Sequence, residues 1–313
     1  LKIQCIVNPA SGKGRKYRNR HRKALQKLAT SGYHETTHAE ELTSLLPKLS
    51  TDADRLLVIA GGDGTVHTVL TALLSQQQED SPLPMIALLP FGSTNLSALD
   101  LHGFLSAERS LFRLQAITAR PANTWPVRRR SLLRIEATGM PDRFGFVFAI
   151  GVTTEAVRNF ENKDKAIRLG QEWAGMLSGL KLLGRMLRGT AGGGLPVEVI
   201  LDGRPARQLN CSVIAASTLD RMLFRLRYHW SEGGAIYYTE IGEQPPKLLA
   251  ALTAILVNRI PKWMANSEHY HSTSFVNAHF GFSGDFVIDG EIGTTEKGVR
   301  VSSSRPLGFL KLT

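Results

Sequence analysis

The stretch 55-RLLVIAGGDGTVHTVLTALL-74 runs an unbroken apolar segment into a glycine-rich turn and then into a helical pattern. An apolar run with no polar alternation wants cover on both faces, which in practice means a parallel sheet with crossover helices. The same unit occurs twice more. Residues 3-IQCIVNP-9 precede the basic helical pattern 15-RKYRNRHRKALQKLATSG-32, which Gly32 would close as a C-cap, and 84-PMIALLPFG-92 is another apolar run. A weaker strand at 34–38, a helix at 39–49 and a helix from Thr65 to Gln78 fill the gaps. The order strand, helix, strand, helix argues for a doubly wound α/β domain with its ligand at the carboxyl ends of the strands.

From about Trp125 the pattern changes. Short strand-like pieces dominate, among them 132-LLRIEATG-139, 144-FGFVFAIG-151, 197-VEVILDG-203, 224-FRLRYHW-230 and 285-DFVIDGE-291. Their turns and spacing fit an antiparallel β-sandwich, interrupted by helical segments near 163–189 and 245–260. With 313 residues the chain is long for one core. The expected domains are 1–124 (α/β) and 125–303 (β-sandwich).

Thirty-eight basic against 27 acidic residues give a net charge of +11, which suits phosphate-bearing partners as well as plain solubility. The cationic residues are not interleaved with aromatics in any nucleic-acid module, so no nucleic-acid partner is expected. Cys5 and Cys211 stand alone in apolar segments, which excludes a disulfide framework or a zinc-thiolate site and fits a reducing, cytoplasmic setting. Leu1–Val7 reads as a strand without a signal-peptide pattern, and the apolar run 248-LLAALTAILV-257 is too short to cross a bilayer.

Three turns follow the first, third and fourth apolar strands: 8-NPASGKG-14, 61-GGDGT-65 and 90-PFGSTN-95. In a parallel sheet they meet at one edge. Glycine lets backbone N–H groups approach an anion, hydroxyl side chains and helix N-termini add donors, and Lys13 adds a point charge. No turn matches a standard nucleotide fingerprint: a P-loop ending at Gly12-Lys13 would need glycine at Val7 and Ser or Thr at Gly14. Any one turn alone is an ordinary strand–helix connection. Three together, with Asp63 in the middle one, point to phosphate.

These motifs, N-P-x-S-G-K at Asn8–Lys13, G-G-D-G-T at Gly61–Thr65, P-x-G-[ST]-x-N at Pro90–Asn95 and D-G-E at Asp289–Glu291, resemble the diacylglycerol kinase catalytic-domain family, which includes sphingosine and ceramide kinases. The resemblance spans nearly the whole chain. It implies a Rossmann-like ATP-binding domain, a β-sandwich lipid domain, and a last segment, 304–313 with 307-LGFLKL-312, that returns to the first domain. The nucleotide cradle is then Asn8, Pro9, Ala10, Ser11, Gly12, Lys13, Gly61, Gly62, Asp63, Gly64, Thr65, Gly92, Ser93, Thr94 and Asn95. Thr37 would contact the nucleotide from the second strand. Asp63 would face ATP-bound Mg²⁺, directly or through water. Asp289 and Glu291 would be the catalytic acids, with Glu291 the base that takes a proton from a lipid hydroxyl. Chemically, phosphoryl transfer needs donors and a metal around the phosphates and one carboxylate at the nucleophile. D-G-E by itself also reads as a surface hairpin turn. If it were plain strand, its two acids would share a face unless Gly290 bends the backbone.

The chain departs from family pattern in three places. His67 and Thr68 stand where relatives carry Asn-Glu, and His67 reads more simply as a helix-face residue. Leu96 replaces an aspartate. Many bacterial members hold a structural Mg²⁺ with Asp-Asp-Gly where this chain has Ser231-Glu232-Gly233-Gly234.

For the lipid side, Leu169, Trp173, Met176, Leu177, Leu180, Leu183 and Leu187 form one helical stripe flanked by Lys181, Arg185 and Arg188, suited either to the sandwich core or to an anionic interface. The expected partner is a lipid substrate at an anionic membrane surface, reached peripherally, with a homodimer as an admissible assembly. Three functions compete: an ATP-dependent lipid kinase acting on diacylglycerol or a related lipid, an NAD kinase, which shares G-G-D-G-T, and a non-catalytic lipid- or nucleotide-binding homologue.

Overall fold

The computed structural model describes residues 2–12, 14–36, 39–45, 55–75, 81–92, 95–103, 105–152, 154, 194–220, 227–231 and 233–313. The chain divides into two compact units, Leu1–Ser131 with Arg305–Thr313, and Leu132–Ser304.

The first unit is a six-stranded sheet. Its strands are β1 (Lys2–Val7), β2 (Gly32–Glu35), β3 (Arg55–Gly61), β4 (Met85–Pro90), β5 (Val127–Arg130) and, from the far end of the chain, β17 (Leu307–Leu310), in the order β2-β1-β3-β4-β17-β5. All neighbours are parallel except β17 and β5. Its helices are α1 (Gly14–Leu28), α2 (Ala39–Leu45), α3 (Asp63–Ser75), α4 (Leu96–His102) and α5 (Ala107–Thr118). The apolar strands earn their cover as their composition requires. Ile3, Cys5, Val7, Leu56, Val58, Ala60, Ala87 and Leu89 pack with Leu25 of α1 and Leu111 and Leu114 of α5. The alternate residues Ile6, Leu57, Ile59, Ile86 and Leu88 are equally buried, with α3 and α4 packed on β3 and β4.

Two local readings change. Gly32 is not a helix cap: α1 ends at Leu28, and Gly32 opens β2, paired with Gln4. The first unit also extends past 124 to Ser131, because 127-VRRR-130 is a strand. That stretch looks too charged for a sheet, yet it lies at the edge against β17, and Arg130 pairs at 2.5 Å with Asp100, whose side chain is 2% exposed. Arg128 also donates to Asp100 C=O (3.1 Å), and the edge position leaves Arg129 exposed.

The second unit is antiparallel throughout, in one hydrogen-bonded sheet of 11 strands: β6 (Leu133–Ala137), β7 (Arg143–Gly145), β8 (Val147–Gly151), β9 (Leu195–Leu201), β10 (Arg207–Ser217), β11 (Ile236–Gly242), β12 (Tyr270–Phe275), β13 (Asn277–Gly281), β14 (Gly284–Ile288), β15 (Glu291–Thr295) and β16 (Val299–Ser303). The sandwich arises from one long strand. β10 pairs with β9 through Arg207–Cys211 and with β8 through Val213–Ser217, with a bulge between Cys211 and Val213. Beyond that bulge the sheet diverges into the arms β9-β13-β16-β6-β7 and β8-β14-β15, and β11-β12 branches from β10. Val197, Val199, Phe280, Val301 and Ile135 from one arm share a core with Phe148, Ile150, Phe286 and Ile288 from the other.

Helices α6 (Leu248–Leu256) and α7 (Lys262–Ala265) fall within the expected 245–260 region and just after it. The segment 144–151 is two strands, broken at Phe146, and Arg227–Trp230, the described part of the expected strand 224–230, is irregular. The stripe at 163–189 lies outside the described residues. No described helix is long and apolar enough to cross a membrane.

Candidate functional site

β1, β3 and β4 are adjacent, so their carboxyl-end loops converge where the strand order reverses between β1 and β3. The contact is made by glycines. A Cβ placed on Gly92 would lie 2.3 Å from Gly62 Cα, and one on Gly62 would lie 3.2 Å from Gly92 Cα and 4.0 Å from Ser11 Cβ. Only residues without side chains allow the second and third loops this close. Hydrogen bonds fasten the approach: Gly61 C=O accepts from Phe91 N–H at 3.0 Å and Gly92 N–H at 3.1 Å.

Each loop is also braced internally. Asn8 N–H donates to Ala60 C=O (2.9 Å), and its amide group donates to Thr65 Oγ1 (2.9 Å), joining the first loop to the second. Ala10 N–H donates to Asn8 Oδ1 (2.9 Å) and Ser11 Oγ to Asn8 C=O (2.9 Å). Asn95 sits in the left-handed region (φ 51°) just before α4, and its side chain closes the third loop through Gly92 N–H (2.8 Å) and Gly92 C=O (2.7 Å). Asparagine is among the few residues that accept this backbone. Asp63 is the first residue of α3, and its Oδ1 accepts from Ser97 N–H (3.2 Å) and Ser97 Oγ (3.3 Å), so it also caps α4.

The structure thus brings together Asn8, Pro9, Ala10, Ser11, Gly12, Gly61, Gly62, Asp63, Gly64, Thr65, Gly92 and Asn95. Lys13, Thr37, Ser93 and Thr94 lie outside the described residues. Ser97 escaped the sequence reading, since nothing in 96-LSALDLH-102 marks it as the partner of an acid 34 residues earlier. His67 is buried in α3, a helix-face residue as its composition suggested. The amino ends of α1 and α3 both lie at this edge, and a helix amino end favours an anion.

A Mg²⁺ ion that arrives on nucleotide phosphates keeps several waters and asks the protein for only one or two carboxylates. Asp63 meets that demand, and the described residues contain no cluster of three His, Cys, Asp or Glu that would hold a metal unaided. The other metal locus fits poorly. Ser231 Oγ donates to Thr273 C=O, Gly233 and Gly234 contribute no side-chain oxygen, and Glu232 lies outside the described residues.

D-G-E, in the second unit, is a two-residue hairpin turn between β14 and β15. Asp289 (φ 49°) and Gly290 (φ 94°) occupy its corner, and Ile288 pairs with Glu291. The two acids therefore do not share a strand face. Asp289 turns back on the sheet: Oδ1 accepts from Phe146 N–H (3.0 Å) and Val147 N–H (2.8 Å), and Oδ2 lies 3.0 Å from Phe146 N. This staple breaks the run 144–151 into β7 and β8. Gly145 makes room for it, because a Cβ there would stand 2.8 Å from Asp289 Oδ2. Glu291 is exposed.

Comparison with known proteins agrees with the four-motif reading over the first unit. Residues 2–125 match the family model described as the diacylglycerol kinase catalytic domain, which takes in the first three motifs and ends before D-G-E. A diacylglycerol kinase of Bacillus subtilis is 29% identical over 98 residues, 30% of this chain and 31% of that protein, so the match spans under a third of the relative's length. A solved diacylglycerol kinase structure from Bacillus anthracis superposes with a TM-score of 0.61 at 12% identity, covering 99% of this chain and 96% of that one. An NAD kinase from Archaeoglobus fulgidus, solved with ATP, gives 0.50 at 14% identity, covering 99% and 93%. At these identities the structures speak for the fold: a Rossmann-like parallel sheet followed by a curled antiparallel one.

Proposed function

We propose that this chain, whose first unit matches the diacylglycerol kinase catalytic domain, is an ATP-dependent lipid kinase that phosphorylates a hydroxyl of diacylglycerol or a related lipid. One observation carries the reading: three donor-rich loops are locked together at the amino ends of α1 and α3, the second to the third through Gly62 and Gly92 and the first to the second through Asn8 and Thr65. Nothing in sheet packing requires that closeness, whereas a polyphosphate needs backbone donors converging from several loops.

In this reading the amides of Asn8–Gly12 and Gly61–Thr65, with Lys13, Ser93, Thr94 and Asn95, hold the phosphates, and Thr37 contacts the nucleotide. Asp63 stands on the metal side, where Mg²⁺ would neutralise phosphate charge. The lipid hydroxyl oxygen attacks the γ-phosphorus. The bond from that phosphorus to the β,γ-bridging oxygen breaks, and ADP departs with the electron pair. Glu291 takes the hydroxyl proton, while Asp289 positions the turn that carries it. The NAD kinase reading gives a different product and the binding-protein reading none, which one assay separates.

Labelled ATP and Mg²⁺ are incubated with diacylglycerol, phosphatidylglycerol, sphingosine and NAD. Label in an organic-extractable product is expected. Label in NADP would favour the NAD kinase reading, and no product despite nucleotide binding would leave the binding protein. Glu291→Gln is expected to abolish transfer and spare ATP binding; near wild-type turnover would remove Glu291 as the base.

A further inference from the structure

Helix α6 has a second face that its own packing does not use. Leu248, Ala251 and Ala254 are buried, and the two alanines pack into a small core with Ile241, Met264 and Tyr270. On the neighbouring ridge Leu249, Leu252 and Leu256, spaced i, i+3, i+7, Leu249 is 54% and Leu256 60% exposed with Leu252 half-buried between them, and Val257 at the helix end is 59% exposed. Half of the described large apolar side chains that stand exposed are therefore on one nine-residue helix and its cap. Scattered exposed apolar residues need no explanation, but a continuous ridge does.

The helix is rigidly held, so the ridge is not a frayed end. Asn258 in the left-handed region (φ 52°) and the bond from Arg259 N–H to Ala254 C=O (2.8 Å) form a Schellman-type stop. At the other end Lys247 Nζ lies 5.4 Å from the Trp263 ring centre, and that indole packs edge-on against Tyr270 (6.0 Å, 78°).

Charge identifies the occupant. From Gln244 to Ser267 the chain has three cations, Lys247, Arg259 and Lys262, and no acid. All three are exposed, and none pairs with a carboxylate among the described residues. An apolar ridge with cations around it and a half-buried tryptophan beside it has the chemistry of a helix lying in an anionic bilayer interface. A second copy of the chain fits worse: like charges would meet across the axis, and three side chains fall well short of the roughly 800 Å² per partner of a stable dimer.

We propose that the α6–α7 face docks this protein on anionic phospholipid, with Leu249, Leu252, Leu256 and Val257 entering the acyl boundary and Lys247, Arg259 and Lys262 contacting headgroup phosphates. These residues are not those of the 163–189 stripe, and the proposal stands whether or not the chain is a kinase.

The test is flotation of the whole protein with phosphatidylcholine vesicles, with and without phosphatidylglycerol, in the absence of ATP and lipid acceptor. Binding is expected only with phosphatidylglycerol and weakens as salt rises. The triple substitution Leu249→Ser, Leu256→Ser, Val257→Ser lowers the partition about 100-fold without lowering the melting temperature. Lys247→Gln with Arg259→Gln and Lys262→Gln lowers it by a similar factor of about 100 at low salt. Wild-type binding by either triple variant, equal binding to both vesicle types, or a wild-type dimer that the serine variant dissolves would each overturn the proposal. Transfer to a short-chain, detergent-soluble acceptor, measured in parallel, is expected to be unchanged in both variants. Its absence in the wild type would count against the kinase reading and not against the docking surface.

Discussion

Replacing Gly92 by alanine tests the architecture of the cradle. The added Cβ would stand 2.3 Å from Gly62 Cα, 3.0 Å from Asn95 Oδ1 and 3.2 Å from Gly62 N. Carbon atoms in contact settle near 3.5 Å, so the second and third loops must part by about 1.2 Å. Two of the three obstacles are backbone, which has no rotamer to yield. Overpacking of this kind costs about 2 kcal/mol. Strain on the bonds from Gly92 N–H to Gly61 C=O and Asn95 Oδ1 adds about 1 kcal/mol. Together that predicts a fall of about 10 °C in the melting of the first unit. A displacement near 1 Å at the phosphates also predicts roughly a 100-fold loss of phosphoryl transfer. Two other glycines calibrate the result. Gly62→Ala meets Gly92 Cα at 3.2 Å and should destabilise less; Gly64→Ala meets nothing within 4 Å, and in α3 it should gain up to about 1 kcal/mol. Thermal melts followed by circular dichroism give the order. The reasoning fails if Gly92→Ala melts with the wild type, or if Gly64→Ala falls as far.

Two further expectations concern polar groups that bond to the backbone. His102 Nδ1 accepts from Leu312 N–H (3.1 Å), and burial pushes its pKa from 6.5 down to about 4, against the nearby carbonyls of Leu88 and Leu101. The folded chain thus resists a proton that the unfolded chain takes up, so this contribution is intact above pH 6.5 and is lost as pH falls towards 4, by about 3 kcal/mol in all. The stability gap between wild type and His102→Asn in urea should narrow across that window; a constant gap would contradict the assignment. At the hairpin, Asp289→Ala should cost about 2 kcal/mol by stranding two part-buried N–H groups, while Asp289→Asn, which keeps one acceptor and tolerates φ 49°, should cost about 1. Equal losses in denaturant titrations would show that the staple is not what matters.

The contrast between these residues explains what was readable from sequence. β1, β3 and β4 declare themselves because an apolar run has few other uses, and their order alone brings the three loops to one edge. Val127–Arg130 does not, because its place in the sheet depends on Asp100 and on a strand from the far end of the chain. The break at Phe146 is invisible for the same reason: the acid that causes it lies 143 residues away. D-G-E showed its turn chemistry locally, but only the fold shows that Asp289 spends its carboxylate on backbone amides. Ser97 is the cradle's hidden member, since a serine near a helix start carries no mark of its partner.

The insertion of β17 between β4 and β5 has a consequence for how the protein is made. Phe309 pairs with Ile86, so the first unit's sheet stays open, with β4 lacking its neighbour, until residues past 305 have left the ribosome. The intervening unit can close earlier, since Leu132 N–H donates to Ser304 Oγ (2.9 Å) and Ser304 N–H to Leu132 C=O (2.8 Å), clasping its two ends. The second unit can therefore complete itself without β17, while the sheet of the first unit waits for it. A chain truncated after Ser304 should protect the second unit from protease and leave the first exposed. A chaperone that recognises a bare β4 edge would find it only during that interval.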